Sequence, residues 1–426
     1  MATIPSLALI PSGYKASKVY SVLPNDGTGD FDFTRSSSAT RVNKEGLIEL
    51  VGSNVPRLNY PLIDGVVNGC PSLLLEPQRI NLVQYSEDFT QSYWSKIGSS
   101  IFPNISISPD GTQNASKLVE DNLNGLKRLR INAISTSGDN TLSFFVKSAE
   151  RNWILLREAG QTGAYAYFDL ENGIIGQSNL AENIEIKQFN NDWYRISFKD
   201  SVTSVAIELR LALNDGVDSY QGDGTSGIYI WGAQLEQGSF PTSYIPNYGT
   251  ALGVTRSAET CNNAGDVNTF NDSEGVLFAE ISALADDGTN RRISISDGST
   301  SDRIVLGYTA SPNQLIVLVS SNSVSGVASI VNINNSLQFN KIALKYKLND
   351  FALWINGIEV LTDNSLNSPI GLNDLSFEGA DNLNDFYGST KQIQYYNTAL
   401  NDSDLETLTS WDSFSDMANG QLYTIE

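Results

Sequence analysis

Histidine is missing altogether from the 426 residues. Without imidazole there is no Ser-His-Asp or Cys-His machinery, no His-ligated zinc and no ring that titrates near neutral pH. Cysteine is almost as scarce. Cys70 and Cys261 lie far apart, match no metal-ligand spacing and read as two reduced small hydrophobes, with a long-range disulfide as the alternative. Positive charge is thin too, since 27 Lys and Arg against 48 Asp and Glu leave a formal net charge of −21. Such a chain repels phosphate backbones, so no nucleic-acid partner is expected, and the charge favours solubility among crowded copies. No stretch approaches the roughly 18 apolar residues of a membrane helix, so no membrane insertion is expected. The opening Met1-Ala2-Thr3-Ile4-Pro5 lacks a basic and then apolar run, so no secretory signal is expected either. What remains is 40% hydrophobic and only 18% charged, the composition of folded domains, and the length suits two or three of them.

The dominant period is two. Val205, Ile207, Leu209 and Leu211 alternate with Ala206, Glu208 and Arg210, as in a strand with one buried face. Tyr194, Ile196 and Phe198 oppose Trp193, Arg195 and Ser197, while Tyr229, Trp231, Ala233 and Leu235 oppose Ile228 and Ile230. Phe351, Leu353 and Ile355 run into Asn356-Gly357 and then Ile358 and Val360, a strong hairpin signal. Helical spacing is confined to Leu405, Leu408 and Trp411 near the end, where Asn401 or Ser403 can cap a short helix. The spacing therefore predicts an all-β protein built from sandwiches.

Boundaries follow from composition. Residues 1–83 hold seven of the 13 prolines and read as an extended docking arm. Residues 84–248 form a first sandwich, 249–264 a linker, 265–412 a second sandwich and 413–426 a tail. A short echo links arm and linker, because Thr34-Arg35-Ser36 recurs as Thr255-Arg256-Ser257.

Three stretches carry a resemblance. Phe33-Thr34-Arg35-Ser36-Ser37-Ser38-Ala39-Thr40-Arg41-Val42-Asn43, Pro56-Arg57-Leu58-Asn59-Tyr60-Pro61 and Leu73-Leu74-Leu75-Glu76-Pro77-Gln78-Arg79-Ile80-Asn81-Leu82 resemble the opening of fibre- or spike-type virion proteins from tailed phages of Bacteroidetes hosts, the crAss-like phages included. Phe89, Trp94, Pro109-Asp110-Gly111, Trp193-Tyr194-Arg195 and Trp231-Gly232-Ala233-Gln234-Leu235-Glu236 resemble jelly-roll carbohydrate-binding modules. The hairpin at Asn356-Gly357 and the ending Gln392-Ile393-Gln394-Tyr395-Tyr396 resemble concanavalin-A-like, laminin-G-type domains. The resemblance implies a jelly roll followed by a concanavalin-A-like sandwich, a location in the virion after assembly in the bacterial cytoplasm, and attachment to other virion proteins through the arm. It also implies a homo-oligomer, a trimer by analogy with fibres. Fold alone does not fix function, because both sandwiches serve many.

The chemistry points the same way. A retaining glycosidase needs two carboxylates about 5–5.5 Å apart, and the Glu-x-Asp-x-Glu strand of the related hydrolases is missing here. Glu182/Glu185 and Asp286/Asp287 sit beside turn signals instead. No enzyme is expected, and a capsule depolymerase ranks behind the other readings. Sugar binding needs an aromatic platform beside polar groups. The candidates are Trp354 and Trp193, each opposite its strand's apolar set, and Trp153, which shares its face with Leu155. No cofactor is expected. Structural Ca²⁺ is the one ion considered, from the loops Asp215/Asp218/Asp223, Asp381/Asp385 and Asp110/Asp121. The expectation is thus a non-enzymatic virion fibre or decoration protein. The alternative is a receptor-binding adhesin for bacterial surface polysaccharide.

Overall fold

A computed structural model describes residues 4–411. Strands dominate, and among these residues the helix is the single segment Asp402–Thr409. The expected tail 413–426 lies outside the described residues.

The first sandwich stacks two six-stranded antiparallel sheets. One runs Ser95–Ile97, Arg128–Arg130, Ile207–Ala212, Trp153–Glu158, Tyr165–Asp169 and Ile174–Asn179. The other runs Ser99–Ser106, Ala115–Glu120, Gly227–Gln237, Asp139–Ser148, Trp193–Ser201 and Glu182–Phe189. Their inner faces meet in a core that includes Leu118, Phe144, Ile154, Leu156, Phe168, Ile196, Leu209 and Leu235. The sets Val205, Ile207, Leu209, Leu211 and Tyr194, Ile196, Phe198 turn inward as alternation predicts. In Gly227–Gln237 the expectation fails, because a bulge at Gly232 shifts the period: Ile228, Ile230, Ala233 and Leu235 face the core, while Tyr229 and Trp231 pack on the opposite side.

The second sandwich faces a five-stranded sheet, Val324–Asn332 to Asp374–Ser376, against an eight-stranded one. The hairpin turn at Asn356 and Gly357 has φ of 49° and 85°, both left-handed, as an Asn-Gly two-residue turn requires. The helix is capped by Asn401, whose side-chain oxygen accepts the Asp404 amide at 3.0 Å.

Residues 4–83 are extended and docked within this chain. Leu7–Leu9 and Ser72–Leu75 both pair with Gly388–Tyr396, so the proline-rich segment completes the eight-stranded sheet. Its hairpin Ala39–Val42/Ile48–Val51 lies over the first sandwich, where Ile48 packs with Phe145, Phe189, Trp193, Trp231 and Tyr244. The stretch 249–264 is stitched to the same segment. Val254–Arg256 pairs with Arg79–Asn81, and Thr260–Asn262 with Phe31–Thr34. The two Thr-Arg-Ser echoes meet here, with Ser36 Oγ and Ser257 Oγ 2.8 Å apart. Cys70 is exposed and Cys261 buried, and both are free thiols.

Where these segments converge, the motif residues form one buried ionic network. Arg57 bonds Glu76 at 2.7 Å and Glu259 at 2.9 Å, Arg35 bonds Glu259 at 2.7 Å, and Arg256 reaches Glu76 at 2.8 Å. Ser243 adds its amide and hydroxyl to the Glu76 carboxylate. Every charge is paired, as burial demands. The network thereby ties the arm's Arg35, Arg57 and Glu76 to Arg256 and Glu259 of the 249–264 stretch and to Ser243 at the end of the first sandwich.

Candidate functional site

The three tryptophans singled out by alternation have different fates. Trp354 does project away from the main core, but the helix covers it, and it is 8% exposed among Phe278, Ala352, Tyr396 and Leu405. Trp193 is fully buried beneath the arm hairpin, its indole N–H donated to the Ile107 carbonyl at 2.9 Å. Neither presents a platform to a ligand. A strand pattern shows which face is not the core, and cannot show that a distant segment roofs it. Trp153 stays half-buried on the outer face of its sheet.

That face is the outer surface of the sheet holding Trp153–Glu158. The register arranges its side chains in three rows. Arg130, Glu208, Arg157 and Tyr165 stand in one row across four strands. Arg128, Arg210, Leu155 and Tyr167 form the second, and Ala212, Trp153 and Asp169 the third. At strand and residue spacings the rows span about 14 Å by 13 Å, the footprint of a short oligosaccharide. Tyr165 and Tyr167 meet edge to face with ring centroids 5.7 Å apart, and Leu155 and Ala212 floor the patch.

Local contacts hold these groups in place. Glu208 is fully buried and takes Arg128 at 3.0 Å, Arg130 at 3.7 Å and Arg210 as well. Arg210 also pairs with Asp218 at 2.5 Å. Burial, followed by the Asp218 charge, pushes the Tyr167 hydroxyl up to about 12, so it stays protonated and can donate. Beside Trp153, Gly176 leaves no room for a side chain, since a Cβ there would stand 2.7 Å from the indole.

Tyr165, Tyr167, Arg157, Arg128 and Arg130 were absent from the candidates drawn from sequence. The signal was present: Trp153, Leu155 and Arg157 alternate with Ile154 and Leu156, and Tyr165 and Tyr167 flank Ala166. What the sequence lacked was the pairing that sets those strands side by side.

The proposed calcium loops are otherwise engaged. Asp215 accepts the Gln177 amide at 2.8 Å, Asp223 bonds Ser226, Asp121 pairs with Lys127 at 2.8 Å, and Asp110 bonds Thr112. Asp381 accepts the Leu383 amide, and Asp385 the Tyr387 hydroxyl. Among the described residues no three acidic, Cys or His side chains stand together as a metal site.

No protein-family model matches the chain, and no curated protein matches it by sequence. Among solved structures it is similar to the CBM40 module of the Ruminococcus gnavus intramolecular trans-sialidase bound to α2,3-sialyllactose. That likeness has 15% identity and a TM-score of 0.29, over 33% of this chain and 84% of the module. It is also similar to domain 4 of AbnA, a GH43 extracellular arabinanase from Geobacillus stearothermophilus solved with arabinotriose. Here identity is 13% and the TM-score 0.30, over 36% of this chain and 73% of that domain.

Proposed function

We propose that this chain is a non-enzymatic glycan-binding component of a phage virion, a fibre or decoration protein that presents its first sandwich to bacterial surface polysaccharide. The observation that carries the binding half is the outer sheet face on which the half-buried Trp153 and Tyr165 stand among arginines, over a floor of Leu155, Tyr167 and Ala212. Flat aromatic faces stack on sugar rings while charged and hydroxyl groups fix orientation. The virion half rests on the resemblance of residues 30–95 to virion openings. In this reading the particle contact lies on the arm side, and the protein assembles as a homotrimer.

Two measurements test the halves separately. Binding of the purified protein to capsular polysaccharide of the host should be saturable and should fall sharply in Trp153→Ala with its circular dichroism unchanged. Proteomics of purified particles should contain the chain, and sedimentation should give three times the monomer mass. Polysaccharide binding that is absent, or indifferent to Trp153, would sink the adhesive half. Absence from particles would sink the other.

A further inference from the structure

We infer that the glycan bound on this face is acidic, and that Arg157 with Arg130 reads its anionic group. The inference rests on the binding face proposed above and names the class of sugar it takes.

The ion pairs in the first two rows of the face leave one arginine out. Glu208 and Asp218 are shared among Arg128, Arg130 and Arg210, which leaves Arg157 over. Arg157 is half-buried in the sheet, with its Nε shielded from solvent and no hydrogen-bond partner among the described residues. No ion pair involves it either, although its cross-strand neighbours are Glu208 and Tyr165. Its Nη groups are reached by solvent and have no acceptor among the described residues either, and an anion placed over them supplies one.

The surroundings hold that end of the face ready. The loop after Trp153–Glu158 is drawn in by the fully buried Glu158 carboxylate, which accepts the amides of Gly160 at 2.6 Å, Gln161 at 2.9 Å and Thr162 at 3.1 Å. It also takes the Ala206 amide, from the neighbouring strand, at 3.1 Å. Burial pushes this carboxyl up, and the backbone N–H groups more than offset that, so it stays ionised. The held loop meets both guanidinium groups. Arg130 Nη2 donates to the Ala159 carbonyl at 3.3 Å, and a Cβ on Gly163 would stand 3.2 Å from Arg157 Nη2. Arg130 and Arg157 flank Glu208 two strands apart, about 10 Å between backbones, within reach of one carboxylate or sulfate from two long side chains. Next to them Tyr165 offers a ring for the sugar that bears the acid. A cationic end of this kind is distinctive on a chain of net charge −21, whose overall field repels acidic polymers.

The test is a glycan array with neutral, uronic-acid and sulfated sets, probed with the full chain and with Arg157→Gln, Arg157→Lys and Trp153→Ala. Binding should concentrate on acidic sets, and the uronic-acid and sulfated arms tell carboxylate from sulfate. Arg157→Gln should lower affinity for acidic glycans about ten- to a hundredfold, the worth of a charge-assisted bond, and Arg157→Lys should restore part of it. Neutral glycans should feel Trp153→Ala and not Arg157→Gln, a split that general damage to the fold cannot produce. Binding confined to neutral glycans, or acidic binding indifferent to Arg157, overturns the inference and leaves the glycan-binding reading standing. Silence across all sets overturns both.

Discussion

Arg57 donates from Nε and Nη2 to the two carboxylate oxygens of Glu259, a residue 202 positions further along the chain, with both side chains closed off from solvent. This fork joins the proline-rich segment to the stretch between the sandwiches. Removing Glu259 strands the buried Arg35, at a cost of about 3–5 kcal/mol, whereas removing Arg57 takes away the fork but leaves Glu259 with Arg35 and Glu76 with Arg256. Arg57→Met and Glu259→Gln should each lower the urea midpoint accordingly. The double variant should lose clearly less than the sum, because the attraction between the two residues is lost only once. Additive losses in equilibrium unfolding would show that the two residues do not act as a pair.

The same network sets an acid limit. Burial pushes the Glu76 carboxyl up, but Arg256, Arg57 and the Ser243 hydroxyl and amide outweigh it and hold the group well below the usual carboxylate range. A carboxyl depressed by folding adds stability in full above its unfolded value, about 4.3, and that stability drains away as pH falls toward the folded value. Melting temperature should therefore drop between pH 5 and pH 3 by more in the parent than in Glu76→Gln. The variant should melt lower at pH 6, and its pH profile should be flatter. Parallel profiles would remove Glu76 from the account.

Alternation in Ile207–Ala212 and Phe351–Ile355 gave strands and inner faces correctly, because one buried face is a local property. Asn356-Gly357 gave its turn for the same reason. Trp354 and Trp193 misled because their covers, a helix some 50 residues on and a hairpin some 150 residues back, are tertiary facts. Nothing local in the sequence marks Arg35, Arg57, Glu76 and Glu259 as buried, and only their convergence makes them a core. The echo of Thr-Arg-Ser was the one local hint, and its two copies do touch.

The helix that hides Trp354 is held by a single fully buried leucine, Leu405, with Thr409 closing onto the hairpin amide of Gly357 at 3.2 Å. Leu405→Ala should weaken its docking by about 2–5 kcal/mol, the usual cost of emptying a packed site. The loss is local, so hydrogen exchange should rise in Asp402–Thr409 and Phe351–Ile355 while the first sandwich stays protected. Tryptophan emission should shift to the red as Trp354 meets water. Uniform deprotection of both sandwiches would mean that the helix is part of the global unit instead.

Gly176 offers the finest probe of the binding face. A methyl group there would sit 2.5 Å from Asp215 Oδ1 and 2.7 Å from the Trp153 ring, so one of them has to move. Asp215 is tied to the Gln177 amide at 2.8 Å, which makes the indole the group that yields. Forcing it off its rotamer costs about 1 kcal/mol, or roughly fivefold in affinity for a glycan stacked on that ring. Gly176→Ala should therefore weaken polysaccharide binding by less than Trp153→Ala does, with the melting temperature lowered by only a few degrees. Binding that survives Gly176→Ala at full strength while Trp153→Ala abolishes it would mean that the ring's position is not what the sugar reads, and would shift the contact toward Tyr165.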